Sequence, residues 1–332
     1  MPIGQPVVLR SRELQDDELR NMLLSVIASG DTGDFFGKFE YFFPNDPNLT
    51  LQRGETLLAQ CLRLAPDVYA KLHKGTPFYW LAWATFLSHD YETAAFYIDA
   101  AVSEDIKNNA AAVSTPALLF FLIDESSAQQ AMLPFVKALR EQIDVARNKY
   151  NSRPGAATPP LLFSHLQDAL LKPAISKGQE NLRTLVTTFI SYSLEWKHRS
   201  DLIKLRIEQG TAEPFFIHLF KGCVLFESLL KANPKRKPQE KMLGKILGEL
   251  QSELGFGSKP QMTIGNFDFQ KIVADLASDD SSVYTAVERT GRIRNTTGHN
   301  LGWAVSITPS AYDALAAYVA SSCLHAIASL YR

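Results

Sequence analysis

The chain has 332 residues, of which 46% are hydrophobic and 21% are charged, with 34 Lys and Arg against 35 Asp and Glu. This composition excludes collagen-like, low-complexity and wholly disordered proteins, and the length favours about two domains. A net charge of −1 excludes a general polyanion binder, so any contact with nucleic acid must come from a local patch of Lys and Arg.

The N-terminal sequence Met1-Pro2-Ile3-Gly4-Gln5 lacks the basic start and apolar run of a signal peptide. The longest apolar stretch, Ala117–Ile123, is far shorter than the roughly 20 residues of a membrane helix. Three cysteines lie far apart in helical patterns and form neither a disulfide framework nor a CxxC zinc motif: Cys61, Cys223 and Cys323. We therefore expect small buried thiols in a reducing compartment, and a cytoplasmic protein with no membrane contact.

The N-terminal half resembles a tetratricopeptide repeat in one segment, residues 78–101. Small residues at Ala82, Ala94 and Ala101 would let two helices pack closely, with aromatic side chains filling the gaps. Only one good unit is visible, whereas such solenoids usually stack three or more, and Ile106 stands where that family often has proline. We predict a tetratricopeptide-like helical-hairpin domain over residues 1–150, with its aromatics in the core rather than in a ligand site. Its expected role is to regulate the second domain or to bind a protein partner.

A break in the helical pattern runs from residue 148 to residue 160. It contains three prolines, a glycine and small polar residues, which make a poor helix. We predict a linker over residues 151–160, followed by a helical bundle over residues 161–332.

The C-terminal part shows three strong helical periods. The apolar positions of Leu182–Ile207, Glu213–Lys231 and Pro309–Tyr331 recur every three or four residues. Thr308 can cap the last of these helices, and Pro309 suits its first helical position. Strand-like alternation is scarce, and the best candidate, residues 261–264, could equally be an extended loop. The predicted fold class is all-α.

Several familiar catalytic signatures are absent from the sequence, including the GxxxxGK[ST] phosphate loop, HExxH, GxSxG and GxGxxG. No carboxylate pair stands at metal-ligand spacing, and Asp279-Asp280 is typical of a helix-capping turn. Six scattered histidines lack a partner at ligand spacing: His73, His89, His165, His198, His218 and His325. We therefore predict no metal and no cofactor, and a metal-dependent or nucleotidyl-transfer enzyme has little support.

One cluster, residues 290–300, gathers chemically active side chains. It lies where a helix starting near Ser281 is expected to give way to a turn, because Asn295, two threonines and Gly298 are poor helix residues. Arginine clamps phosphate through charge-assisted hydrogen bonds, and histidine moves protons near neutral pH. Together these groups suit cleavage of an RNA phosphodiester without metal, in which the 2′-hydroxyl attacks its own phosphorus.

The sequence Arg294-Asn295-Thr296-Thr297-Gly298-His299 resembles the RNxxxH form of the motif of HEPN ribonucleases. Members of that superfamily are small helical bundles from toxin–antitoxin, abortive-infection and CRISPR-associated systems. Their motif lies between the penultimate and last helices, and Pro309–Tyr331 supplies a last helix in the corresponding place. The resemblance covers residues 160–332, but only the motif and the helix order carry it. It implies RNA as substrate and a homodimer in which two motifs form a composite site.

The resemblance also implies roles for individual residues. Arg294 would contact the phosphate, His299 would transfer the proton, and Asn295 would orient the histidine or the phosphate. Family members often carry an acidic residue on an earlier helix; Glu227 is our candidate, and it could position Arg294 through an ion pair. Two alternatives stay open: Glu227 pairs only with Lys231 at i, i+4, or the motif's arginine and histidine only cap the helix C-terminus.

Further RNA contacts are predicted from basic residues near the motif. Arg292 could add to an RNA-facing patch, with an exposed helix position as the alternative. Lys235, Arg236 and Lys237 form a short basic loop between prolines, which could bind phosphate or be a solvated helix connection. Trp303 is interpreted as an anchor of the last helix rather than a base-stacking platform.

The sequence thus predicts a metal-independent endoribonuclease that leaves a 2′,3′-cyclic phosphate and a 5′-hydroxyl. Its expected setting is bacterial defence or a toxin-like stress response. The alternative is a non-catalytic HEPN-like module that binds RNA or a nucleotide, or that serves as a protein scaffold.

Overall fold

The computed structural model describes residues 15–30, 32–33, 35–38, 46–108, 115–126, 128–205, 211–261, 281–298 and 307–332. All regular secondary structure in these ranges is helical, so the predicted all-α class is confirmed. A 3-10 turn at Phe35–Lys38 and a π-helical turn at Gln167–Leu171 accompany the α-helices. These are α1 Asp16–Ser29, α2 Pro47–Leu64, α3 Pro66–Tyr69, α4 Gly75–Leu87, α5 Tyr91–Lys107, α6 Pro116–Phe121, α7 Leu133–Asn151, α8 Phe163–Leu166, α9 Lys172–Ala174, α10 Glu180–Leu205, α11 Glu213–Lys231, α12 Leu243–Glu249, α13 Val283–Thr297 and α14 Pro309–Leu330.

The chain divides into two compact units, unit 1 with residues 1–136 and 175–177, and unit 2 with residues 137–174 and 178–332. The boundary between these two units lies at residues 136–137, within α7.

The predicted linker, residues 151–160, is bound within unit 2. The guanidinium of Arg153 donates to the Ser281 carbonyl at 2.8 Å and to the Ser321 hydroxyl at 2.9 Å. The backbone of Pro154 accepts from the Val283 amide at 2.9 Å. Proline and glycine exclude a helix here, as expected, and these long-range hydrogen bonds join the segment to the start of α13 and to α14.

Unit 1 contains the predicted helical hairpin, formed by α4 and α5. Ala82, Ala94 and Ala101 are all fully buried, as close packing of the two helices requires. The carboxylate of Asp90 caps α5 by accepting from the Thr93 amide at 3.1 Å. This confirms the hairpin.

The aromatic side chains of the hairpin do not all enter the core. Tyr79 is buried as predicted, whereas Phe96 is 61% exposed on the outer face of α5.

Unit 2 is built around α11, which packs against α10, α13 and α14. The crossing of α11 and α14 requires glycine at Gly222, because a Cβ there would collide with the Tyr192 ring and the Val319 side chain. The bounds of α14 follow the predicted signals: the Thr308 hydroxyl accepts from the Ala311 amide at 3.2 Å, ahead of the proline at the first helical position.

Among the described helices, α14 is long and apolar enough to cross a membrane, but 78% of its most apolar stretch is buried within the protein. That degree of burial is typical of the core helix of a globular protein. The three cysteines are free and buried, as predicted.

Candidate functional site

The motif arginine lies in the last turn of α13. This helix begins with a cap at Ser282, whose hydroxyl accepts from the Thr285 amide at 3.1 Å. Asp279-Asp280, interpreted above as a capping turn, lies outside the described residues. The helix continues to Thr297, beyond the point where we predicted a turn. The Thr297 hydroxyl donates to the Ile293 carbonyl at 2.6 Å. This bond satisfies the hydroxyl within the helix, so the threonine does not end the helix at an earlier residue.

An ion pair joins the motif to α11. The Arg294 Nε donates to Glu227 Oε2 at 3.0 Å, and the side chains are 34% and 9% exposed respectively. The ion pair predicted for Glu227 is therefore present. It anchors the arginine through one edge of the guanidinium, and among the described residues its two Nη groups have no acceptor.

The alternative partner of Glu227 is present as well. Lys231, one turn further along α11, donates to the other carboxylate oxygen, Oε1, and is 44% exposed. Glu227 is therefore shared by two cations, one from its own helix and one from α13. Arg294 stands in the last turn of α13, where a positive charge favours the helix dipole, so the capping alternative stays open.

The structure brings together two of the four predicted catalytic residues. Arg294 and Glu227 are in contact, and Asn295 follows Arg294 in the sequence with its side chain half-buried. His299 and Trp303 lie outside the described residues, so their roles stay predictions.

The thiol nearest to this pair does not offer an alternative nucleophile. Cys223 lies one turn before Glu227 on α11, and burial raises the pKa of its thiol well above the usual value. A protonated, buried thiol is unreactive because the thiolate is the nucleophile.

Of the predicted RNA-contacting residues, three contact their own chain. Arg292 pairs with Glu288 at 3.0 Å on the same helix. Lys235 donates to the Ser329 carbonyl at 2.7 Å.

Arg236 binds Glu253 at 3.0 Å, whereas Lys237 is exposed. The loop at 235–237 therefore connects the chain after α11 to α14 and to Glu253. Both the helix connection and a phosphate contact there stay open.

Sequence reasoning missed a second buried carboxylate that is held in the same way. Glu195 of α10 accepts from Arg199 at 3.2 Å and from Lys221 of α11 at 2.6 Å. The i, i+4 spacing of Glu195 and Arg199 was visible in the sequence, but the lysine comes from another helix and only packing reveals it.

No group of three or more His, Cys, Asp and Glu side chains in the described part of the chain is placed to hold a metal ion. Comparison with protein-family models, with curated proteins and with solved structures finds no match for this chain.

Proposed function

We propose that this chain is a metal-independent endoribonuclease of HEPN type that acts as a cytoplasmic homodimer. The observation that carries the proposal is the Arg294–Glu227 ion pair. It places the arginine of the RNxxxH sequence at a helix end and ties it to a carboxylate of an earlier helix, as the resemblance implies. The remaining donors of a partly exposed guanidinium suit a phosphate oxygen.

The reaction uses only groups of this chain and of the RNA. The ribose 2′-oxygen attacks the adjacent phosphorus, and the bond from phosphorus to the 5′-oxygen breaks. One proton leaves the 2′-hydroxyl and one proton is added to the leaving 5′-oxygen, and His299 carries out this transfer. Arg294 stabilises the negative charge that develops on the non-bridging oxygens. Asn295 orients His299 or the phosphate through its amide. The products carry a 2′,3′-cyclic phosphate and a 5′-hydroxyl.

The homodimer brings two motifs together into one composite site. Unit 1, with its helical hairpin, senses a partner or regulates access to that site. The setting we propose is bacterial defence or a toxin-like stress response. In the alternative function, the same ion pair holds RNA or a nucleotide without turnover, or the unit serves as a protein scaffold.

Incubation of the purified protein with total RNA in excess EDTA tests the proposal. We expect the wild type to cleave and to leave cyclic-phosphate ends, and Arg294→Ala and His299→Ala to be inactive at unchanged helicity and dimer content. Arg199→Ala is the matched control. It also removes the arginine partner of a buried glutamate, Glu195, which keeps its ion pair with Lys221.

Full activity in His299→Ala would refute the assignment. Binding of RNA without scission by any variant would favour the non-catalytic module.

A further inference from the structure

The carboxylate of Glu227 places two cationic side chains side by side at the protein surface. Each oxygen of this one carboxylate accepts from a different cation, Oε2 from Arg294 at 3.0 Å and Oε1 from Lys231. The two cationic nitrogens are therefore separated by no more than one carboxylate group and two hydrogen bonds. A phosphate group is similar in size to a carboxylate group and can contact both nitrogens at once.

The charge balance of this group favours an anion. Glu227 is the one acidic partner that the described residues give to either cation, so the three side chains carry a net charge of +1. The carboxylate is 9% exposed, whereas the lysine and the arginine are 44% and 34% exposed, so the negative charge lies beneath and the positive charges face solvent.

Donors remain on both cations. A lysine ammonium has three N–H groups and an arginine guanidinium has five, and each cation uses one nitrogen for Glu227. We propose that Lys231 and Arg294 form a two-cation clamp for a phosphate group of single-stranded RNA, with Glu227 as the residue that positions both. This inference rests on the proposed function and adds Lys231 to its site.

The second shared carboxylate in unit 2 does not offer an equivalent clamp. The partners of Glu195 are only 21% exposed at Arg199 and 18% exposed at Lys221. The more exposed pair of cations is the one at Glu227.

The salt dependence of RNA binding tests the clamp. The probe is a single-stranded 2′-O-methyl RNA, which lacks the attacking hydroxyl and cannot be cleaved, and its Kd is measured over a range of salt concentrations. For a single strand, removal of one phosphate-binding cation reduces the steepness of log K against log salt by about 0.7. We expect that decrease in Lys231→Ala and in Arg294→Ala, and recovery of the slope in Lys231→Arg.

Lys197→Ala is the matched control, because Lys197 also forms an i, i+4 ion pair on a helix, with Asp201 at 2.6 Å. Its slope should equal that of the wild type. A wild-type slope in Lys231→Ala would overturn the clamp. The lysine is exposed, and circular dichroism and the Tm verify that each variant is folded.

A positioning role for Glu227 predicts a specific kinetic pattern. Glu227→Gln removes the negative charge at nearly constant shape, so the probe should bind more tightly and KM should fall. Because Arg294 loses its charged anchor, kcat should fall too. Unchanged KM and kcat would show that Glu227 positions neither cation.

The clamp and the proposed function fail in different ways. Cleavage that depends on His299, with a salt slope indifferent to Lys231, would leave the ribonuclease standing and refute the clamp. A slope that falls in Lys231→Ala while no variant cleaves RNA would support the clamp and refute catalysis. Absence of probe binding by the wild type at low salt would refute the clamp whatever the cleavage assay shows.

Discussion

Protonation of one buried histidine should set the acid stability of unit 2. His325 of α14 is 2% exposed and lies between two hydrogen-bonding groups. Its Nε2 is 2.9 Å from the Leu254 carbonyl and its Nδ1 is 3.1 Å from the Tyr150 hydroxyl. A carbonyl can only accept, so Nε2 carries the proton and Nδ1 accepts from the tyrosine. The neutral imidazole is therefore fully satisfied. A second proton, on Nδ1, would place a charge in a buried site and leave the Tyr150 O–H without this acceptor.

The pKa of His325 gives the size of this effect. Burial lowers it from 6.5 to about 4, and the hydrogen bond to Leu254 opposes the shift only in part. Between these two values the unfolded chain binds a proton that the folded protein excludes, so the free energy of unfolding falls as the pH falls. One unit corresponds to about 1.4 kcal/mol, so the full loss is about 3 kcal/mol. Stability is retained above pH 6.5, and the loss is complete near pH 4.

Urea unfolding at a series of pH values, followed by circular dichroism, measures this loss. The comparison variant is His325→Gln, whose amide supplies a donor and an acceptor but does not titrate. The free energy of unfolding of the wild type minus that of His325→Gln should decrease by about 3 kcal/mol between pH 7.5 and pH 4. Tyr150→Phe should be less stable at every pH and should keep most of the pH dependence, because burial is the larger cause of the shift.

A difference between wild type and His325→Gln that stays constant over this pH range would refute the reasoning. It would show that the folded protein admits a proton at His325, through local opening or through a partner that compensates the charge.

Two further predictions concern glycines of unit 2. Gly222→Ala should lower the free energy of unfolding by about 2 kcal/mol, because overpacking against Tyr192 and Val319 exceeds the gain in helix propensity. In a thermal melt, Tm should fall by about 4–8 °C. A variant as stable as wild type would show that the crossing of α11 and α14 can widen. In the same assay, Gly255→Ala should lower the free energy of unfolding by about 1 kcal/mol. The space around Gly255 is open, so the loss comes from its φ of +70°, which alanine adopts at a cost. Gly257 is equally open but has no positive φ, so Gly257→Ala should leave the stability unchanged; equal effects at the two positions would contradict the backbone argument.

Local signals in the sequence predicted the ends of two long helices of unit 2 to within one residue. Glu213–Lys231 is predicted and observed with the same ends, since proline stands near both. Thr308 and Pro309 mark the start of α14 because capping depends on a few adjacent residues. The motif is local too, so Arg294 and Asn295 could be singled out from the sequence alone.

Pairings between helices needed the tertiary structure. The sequence offered Glu227 two partners and left the choice open. Its own helix supplies Lys231, and packing of α13 against α11 adds Arg294. The pair of Lys221 with Glu195 had no local signal. Residues 151–160 show the same limit, because proline and glycine exclude a helix but say nothing about distant hydrogen-bonding partners.

The sequence by itself determined the fold class, the ends of the main helices and the position of the candidate motif, because periodicity, capping and backbone preference act over a few residues. Only the tertiary structure decided which charges are buried, which cations share a carboxylate, and which histidine is kept neutral. These properties depend on desolvation and on distances between helices that are remote in the chain, and no local pattern encodes them.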